Sequence, residues 1–167
     1  MSELFSIQLQ NRQQQGGDGV WLDLPTTTEQ VQAALRQIGI SSDNPQGLFI
    51  SGYFAEEEKR FAIPYNMVLA SNVDALNFLA AQLETLSAGE RAELHAALQA
   101  PQSELFSIGR ITDFPENVDY YVHLPDVHGP AQLGDYYLNR SGMVDMPEEW
   151  KGGIDTAQFG RYVAQQE

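Results

Sequence analysis

Val20-Trp21-Leu22-Asp23-Leu24-Pro25-Thr26-Thr27-Thr28-Glu29 holds a strand, its stop and the start of a helix in one continuous run. Val20 to Leu24 is apolar and β-favouring, and Pro25, which has no N–H to give to a ladder, ends it. Thr26 with Glu29 three residues on forms a capping box, each side chain accepting the other's backbone N–H. Val31, Ala34, Leu35 and Ile38 then recur on one helical face, and Gly39 supplies the left-handed stop. Upstream, Glu3 to Gln10 sets Leu4, Ile7 and Leu9 among polar residues. The polar, Gly-rich stretch Gln13 to Gly19 turns that strand back on Val20–Leu24 as a β-hairpin. Downstream, residues 47–55 read as a third strand. Residues 1–61 are therefore expected to form a β-β-α-β subdomain, with Glu56-Glu57-Glu58 on the loop that leaves it.

Residues 62–101 change period. Ser71 and Asp74 are placed to cap a helix bearing Leu76, Leu79, Ala80 and Leu83, and Ser87 with Glu90 to cap a second bearing Leu94, Ala97 and Leu98, which Pro101 stops. Joined by Thr85-Leu86-Ser87, they make a helical hairpin that must bury its leucine stripe to be stable. After it, Ser103-Glu104-Leu105-Phe106-Ser107-Ile108 repeats Ser2-Glu3-Leu4-Phe5-Ser6-Ile7 letter for letter. A strand over Tyr120 to Leu124 would stand before Leu124-Pro125 as the earlier one stands before Leu24-Pro25. A helix with Leu133, Tyr136 and Tyr137 then ends at Ser141-Gly142-Met143. The echo suggests a second strand-strand-helix unit; the other reading is a coincidence of common β-type residues. Pro147-Glu148-Glu149-Trp150 opens a short helical turn, Gly152-Gly153 breaks it, and Asp155 caps a last helix with Phe159, Tyr162 and Val163 on its apolar face. The expected fold class is α+β: two small antiparallel-sheet-plus-helix subdomains, residues 1–61 and 102–167, flanking the hairpin of residues 62–101.

Twenty-three Asp and Glu face nine Lys and Arg, a net charge of −14. The excess arises from scarce bases, not from an acidic tail, and residues 102–167 carry half of it with eleven acids and four bases. Such a surface repels nucleic acid, so no direct nucleic-acid contact is expected. Two readings remain, plain solubility and attraction to a partner with a basic groove. With no Cys, disulfides, thiolate metal sites and cysteine nucleophiles are excluded. The apolar runs are too short to span a bilayer, and Met1-Ser2-Glu3-Leu4 lacks the basic start of a signal peptide, so a cytoplasmic protein without membrane contact is expected. Enzymatic motifs are missing: no Gly-x-Ser-x-Gly elbow occurs, and Gly16-Gly17-Asp18-Gly19 lacks the lysine and following helix of a phosphate loop. His123, Asp126 and His128 lie close in sequence, but no further ligand is spaced to complete a metal site. No cofactor or metal is expected.

Larger blocks carry a resemblance. Trp21-Leu22-Asp23-Leu24-Pro25 before a Thr-capped helix ending Ile38-Gly39, followed by Asp74-Ala75-Leu76-Asn77-Phe78-Leu79-Ala80, follows the order of features in the ArdA antirestriction family. Leu133-Gly134-Asp135-Tyr136-Tyr137, Ser141-Gly142, Pro147-Glu148-Glu149 and Ile154-Asp155-Thr156-Ala157-Gln158-Phe159-Gly160-Arg161 resemble the C-terminal block of that family. The chain departs from it at Tyr162-Val163, where the family tends to Asp-Leu. The resemblance implies an elongated, three-subdomain homodimer, carried on mobile elements, that mimics bent DNA and occupies the DNA-binding groove of type I restriction-modification enzymes. The alternative is an ArdA-like interaction module of a mobile element without antirestriction activity.

On this reading the binding surface is made of carboxylates. Asp135, Glu148, Glu149 and Asp155 stand inside the matching blocks; Asp119, Asp126, Asp145, Glu56, Glu57 and Glu58 are added from charge alone. Each has a competing reading as a solvated acid, and Glu148 and Asp155 also suit helix N-termini. Tyr136, Tyr137, Trp150 and Phe159 follow helical faces and are expected as core or dimer contacts, not as a stacking platform.

Overall fold

In a computed structural model, residues 3–14, 16–56, 61, 63–100, 103–120 and 124–166 are described. They form a mixed α/β protein with one three-stranded antiparallel sheet and eight α-helices among the described residues. Contacts divide the chain into two compact units, Met1–His123 and Leu124–Glu167.

In the first unit, β1 (Phe5–Asn11) is the central strand, flanked by β2 (Val20–Leu24) and β3 (Leu48–Phe54) in the order β2-β1-β3. Phe5 lies opposite Leu24, Ile7 opposite Leu22 and Tyr53, and Leu9 opposite Val20 and Ile50, with a bulge between Gln8 and Leu9 against β3. Because side chains alternate across a strand, this register sends Phe5, Ile7, Leu9 and Asn11 inward and Ser6, Gln8 and Gln10 outward.

The helix α1 (Thr28–Gln37) starts one residue later than the capping box predicts. Thr27, not Thr26, is the N-cap, its hydroxyl accepting from the Gln30 N–H at 3.3 Å. Thr26 is held elsewhere: its N–H donates to Asn77 Oδ1 at 2.8 Å and its C=O accepts from Asn77 Nδ2 at 3.0 Å. The helix ends as predicted at Gly39, whose φ of +72° suits glycine, with the Ile40 N–H bonded to Leu35 O and the Gly39 N–H to Arg36 O. The buried Asn11 amide donates to Ile38 O at 3.0 Å and ties this helix end to the sheet.

After β3 come α2 (Tyr65–Leu69), α3 (Val73–Glu84), α4 (Ala88–Gln99) and α5 (Ile108–Thr112). The cap of α3 is Asn72, its side chain accepting from the Ala75 N–H, where Ser71 and Asp74 were expected. The reciprocal Ser87–Glu90 box that opens α4 forms as predicted. Leu76, Leu79, Ala80 and Leu83 are fully buried and join the sheet leucines, Leu94, Ile111 and Phe114 in one core; α3 packs on β2 and α5.

The second hairpin is not formed at Ser103–Ile108. Ser103 to Ser107 takes no strand conformation, and Ser107 caps α5 by accepting from the Arg110 N–H. The reason is context: β1 is the central strand, with Ile7 opposite both Leu22 and Tyr53, whereas residues 103–107 have no partner strand among the described residues and a serine hydroxyl nucleates a helical turn. Tyr120 closes a 3-10 turn, Val118–Tyr120, instead of opening a strand, and positions 121–123 lie outside the described residues.

The second unit is helical among its described residues: α6 (Pro130–Asp135), a π-helical turn (Tyr136–Arg140), α7 (Glu148–Lys151) and α8 (Thr156–Gln166). No helix among the described residues is long and apolar enough to cross a membrane.

Candidate functional site

Six of the ten carboxylates singled out in the sequence fall in the second unit, so its packing decides how they are presented. Two glycines set that packing. A Cβ on Gly134 would stand 1.8 Å from Thr156 O, and one on Gly160 1.8 Å from Pro130 O, so α6 and α8 meet backbone to backbone where any side chain would part them. Both glycines belong to the blocks that carry the family resemblance. An isolated Gly inside a helical pattern was the available signal, since it costs helix stability and is kept for close approach.

Around this crossing the acids are all exposed, in different local states. Asp155 accepts from the Ala157 and Gln158 N–H groups at 3.0 and 3.1 Å and caps α8, as predicted. Asp135 closes α6, accepting from Asn139 Nδ2 at 2.8 Å and standing 4.0 Å from Arg140, whose guanidinium lies over the Tyr136 ring. Glu148 and Glu149 form the first turn of α7, where the helix dipole favours negative charge. Glu148 pairs with Lys151 at 2.9 Å. The lysine side chain is only 14 % exposed and the glutamate 84 %, so the lysine stem lies mostly covered and the glutamate stands outward. Asp126, Asp145 and Glu149 have no described partner. In the first unit Glu56 leaves β3 and Asp119 sits in the Val118–Tyr120 turn, both exposed; Glu57 and Glu58 lie outside the described residues.

The arrangement differs from a catalytic or metal centre in kind. All eight described candidate acids are exposed, and exposed carboxylates in water interact weakly with any single partner. They act by summing a field that a basic surface can meet. Among the described residues no three His, Cys, Asp or Glu stand close enough to hold a metal ion. His123 lies outside the described residues, so the His123, Asp126 and His128 arrangement is not described. Of the aromatic residues, Tyr136 and Tyr137 meet edge to face at 5.5 Å, whereas Trp150 and Tyr162 are largely exposed.

Fold and surface together define an acidic mixed α/β protein whose candidate site is a set of outward carboxylates. The sequence model of the family described as "Antirestriction protein (ArdA)" matches residues 16–167, and the chain belongs to that family. No curated protein matches it. The family is one of inhibitor proteins, not of enzymes, and membership implies interaction with restriction enzymes.

Proposed function

We propose that this protein is an antirestriction protein that acts as an acidic DNA mimic, entering the DNA-binding groove of a type I restriction-modification enzyme. The observation that carries the reading is the family match over residues 16–167 in a chain whose eight described candidate acids all face solvent. Duplex DNA presents one phosphate charge per about 1.7 Å of axis, so fourteen charges correspond to about 24 Å of duplex, and two copies to about twice that.

A homodimer, working in the cytoplasm, is part of the proposal. The second unit supports it: Leu138 is its only buried apolar residue among those described, while Met143, Trp150 and Tyr162 are exposed. Units of this size are marginal without a further surface to bury. The division into 1–61, 62–101 and 102–167 belongs to the same proposal; all three strands of the sheet lie in the first segment, and α2, α3 and α4 lie in the second.

The test is displacement of a fluorescent cognate duplex from a type I restriction-modification enzyme at low and moderate salt. Stoichiometric displacement that fades steeply with ionic strength is expected, since the carboxylates replace phosphate contacts. Reversing charge at both Glu148 and Glu149 should weaken it by on the order of tenfold. No displacement from several such enzymes by folded protein would leave family membership intact and favour an ArdA-like interaction module without antirestriction activity.

A further inference from the structure

The chain between α1 and β3 leaves an apolar groove uncovered. Leu35 on the last turn of α1, Ile40 just past its Gly39 stop and Leu48 at the start of β3 line it, and Leu35 and Leu48 are only half-buried. The residues that follow Ile40 are Ser41, Ser42, Asp43 and Asn44, all too small and polar to cover an aliphatic surface. The result is a groove of about 430 Å³ whose apolar lining Pro45 completes.

Its shape is held by contacts within the protein. Asn44 Oδ1 accepts from the Ser41 N–H at 2.7 Å and from the Ser41 hydroxyl at 3.0 Å, while Asn44 Nδ2 donates to Gly39 O at 3.1 Å, so the loop is tied to the helix end. A Cβ on Gly47 would stand 3.3 Å from Ile40 Cδ1 and 2.7 Å from Asn11 Oδ1, so the returning chain passes close against Ile40 and fixes it.

The charge of the groove is one-sided. Arg36 lines it, no Asp or Glu does, and Arg36 has no carboxylate partner among the described residues. Gln32, one turn back and also in the lining, accepts from Arg36 Nη2 at 3.4 Å and holds the guanidinium on that side of the helix. A basic residue in a last helical turn ordinarily serves the terminal carbonyls. Here Leu35 O accepts from the Ile40 N–H, Arg36 O from the Gly39 N–H, Ile38 O from Asn11 Nδ2 and Gly39 O from Asn44 Nδ2, which leaves the guanidinium to the groove. The Ser42 hydroxyl, a further lining group, has no described partner.

We propose that this groove is a binding site for a small monocarboxylate with an aliphatic body. The body lies against Leu35, Ile40, Pro45 and Leu48, and Arg36 with Ser42 takes the carboxylate. Charge complementarity selects that occupant: one cation and no acid in the lining turn away an ammonium head, and an uncharged head forgoes the charge-assisted hydrogen bonds of the guanidinium. An apolar lining with a few polar groups at one side is the ordinary make-up of a small-molecule site, and the volume suits one small ligand. None of the candidate carboxylates takes part, so the site stands or fails independently of the DNA-mimic reading.

The probe is octanoate, with octanamide and octylamine as neutral and cationic forms of the same tail, titrated into the whole chain and followed by methyl-selective NMR. Octanoate is expected to saturate and to shift the methyl signals of Leu35, Ile40 and Leu48 while those of the buried Leu79 and Leu138 stay in place. Octanamide should bind about tenfold more weakly, and octylamine should leave the groove methyls unmoved. Arg36→Gln, at an exposed position where glutamine keeps the helix propensity, should weaken octanoate about tenfold and leave octanamide unchanged. Ser42→Phe, in the exposed loop, should fill the groove and abolish binding of both. Arg110→Gln, an equal charge change at an exposed position outside the groove, should leave octanoate binding unchanged. The proposal is overturned by the lack of a saturable shift at Ile40 and Leu48, or by equal binding of octanoate and octanamide, which would make the groove a plain apolar patch. Equal losses at Arg36 and Arg110 would overturn it too, since only net charge would then be read.

Discussion

The two units of this protein are held together by opposite means. The first unit rests on a continuous apolar core in which Phe5, Ile7, Leu9, Leu76, Leu79, Leu83, Leu94 and Phe114 are buried, whereas the second, among its described residues, buries one large apolar side chain, Leu138, and brings two helices into contact through Gly134 and Gly160. The first unit needs side chains of the right size, and the second needs them missing at two positions. The same contrast runs through the repeated hexads. Phe5 is 3 % exposed inside the sheet, and Phe106, at the equivalent letter, is 67 % exposed beside Arg110. Identical local sequence therefore gives a strand where neighbours can pair with it and the approach to a helix where they do not.

The largest effect is expected where the core is deepest. Phe5→Ala should cost about 3–5 kcal/mol, read by urea denaturation, because it removes a buried ring from the sheet face and its edge contact with Tyr53. Next is Gly160→Ala, a gain of one methyl that should cost roughly 3 kcal/mol, since the new Cβ meets the Pro130 carbonyl and the helices must separate. Hydrogen exchange should show protection lost in α6 and α8 and kept in β1. Uniform loss across both units would erase the proposed contrast between them.

Asn77→Ala should cost about 1–2 kcal/mol by leaving the partly buried Thr26 N–H and C=O without their two hydrogen bonds. Wild-type stability in this variant would show that water replaces the amide without loss. A smaller effect is expected from pH at α4. The Ser87 N–H, and then the Ser87 hydroxyl, hold the Glu90 carboxyl below its ordinary value. A depressed carboxyl contributes stability above its unfolded value and loses it as pH falls through the folded one, so acidification should loosen the start of α4. Amide exchange at residues 87–91 would follow it, and Ser87→Ala should move the onset to higher pH. The smallest effect is at Phe106, where Ala should change stability by less than about 0.5 kcal/mol; a cost near that of Phe5 would mean that the second hexad is packed after all.

Much of this was legible because it is local. The strands at β1, β2 and β3, the Gly39 stop, the Ser87–Glu90 box, the Asp155 cap and the leucine stripe of α3 follow from periodicity and capping chemistry, both written within a few residues. The misplaced caps at Thr26 and Ser71 failed by one residue because several adjacent side chains could each cap, and the choice depends on Thr26 being taken by Asn77 from 51 residues away. The candidate acids were legible as residue types but not as states: the i,i+3 spacing of Glu148 and Lys151 permits a pair, and only the structure shows it formed, with Glu149 beside it turned to solvent.

The sequence by itself determined that this is an acidic, cysteine-free chain with a three-strand pattern in residues 1–61, amphipathic helices and the motifs of the ArdA family, since composition, period and motif spacing are properties of the chain alone. Only the tertiary structure decided that one hexad is a strand and its copy is not, that Gly134 and Gly160 meet, that Asn77 holds Thr26, and that the Trp21 indole reaches across the sheet to Gly52. Each of these depends on residues distant in sequence coming into contact, where pairing, excluded volume and burial outweigh local preference.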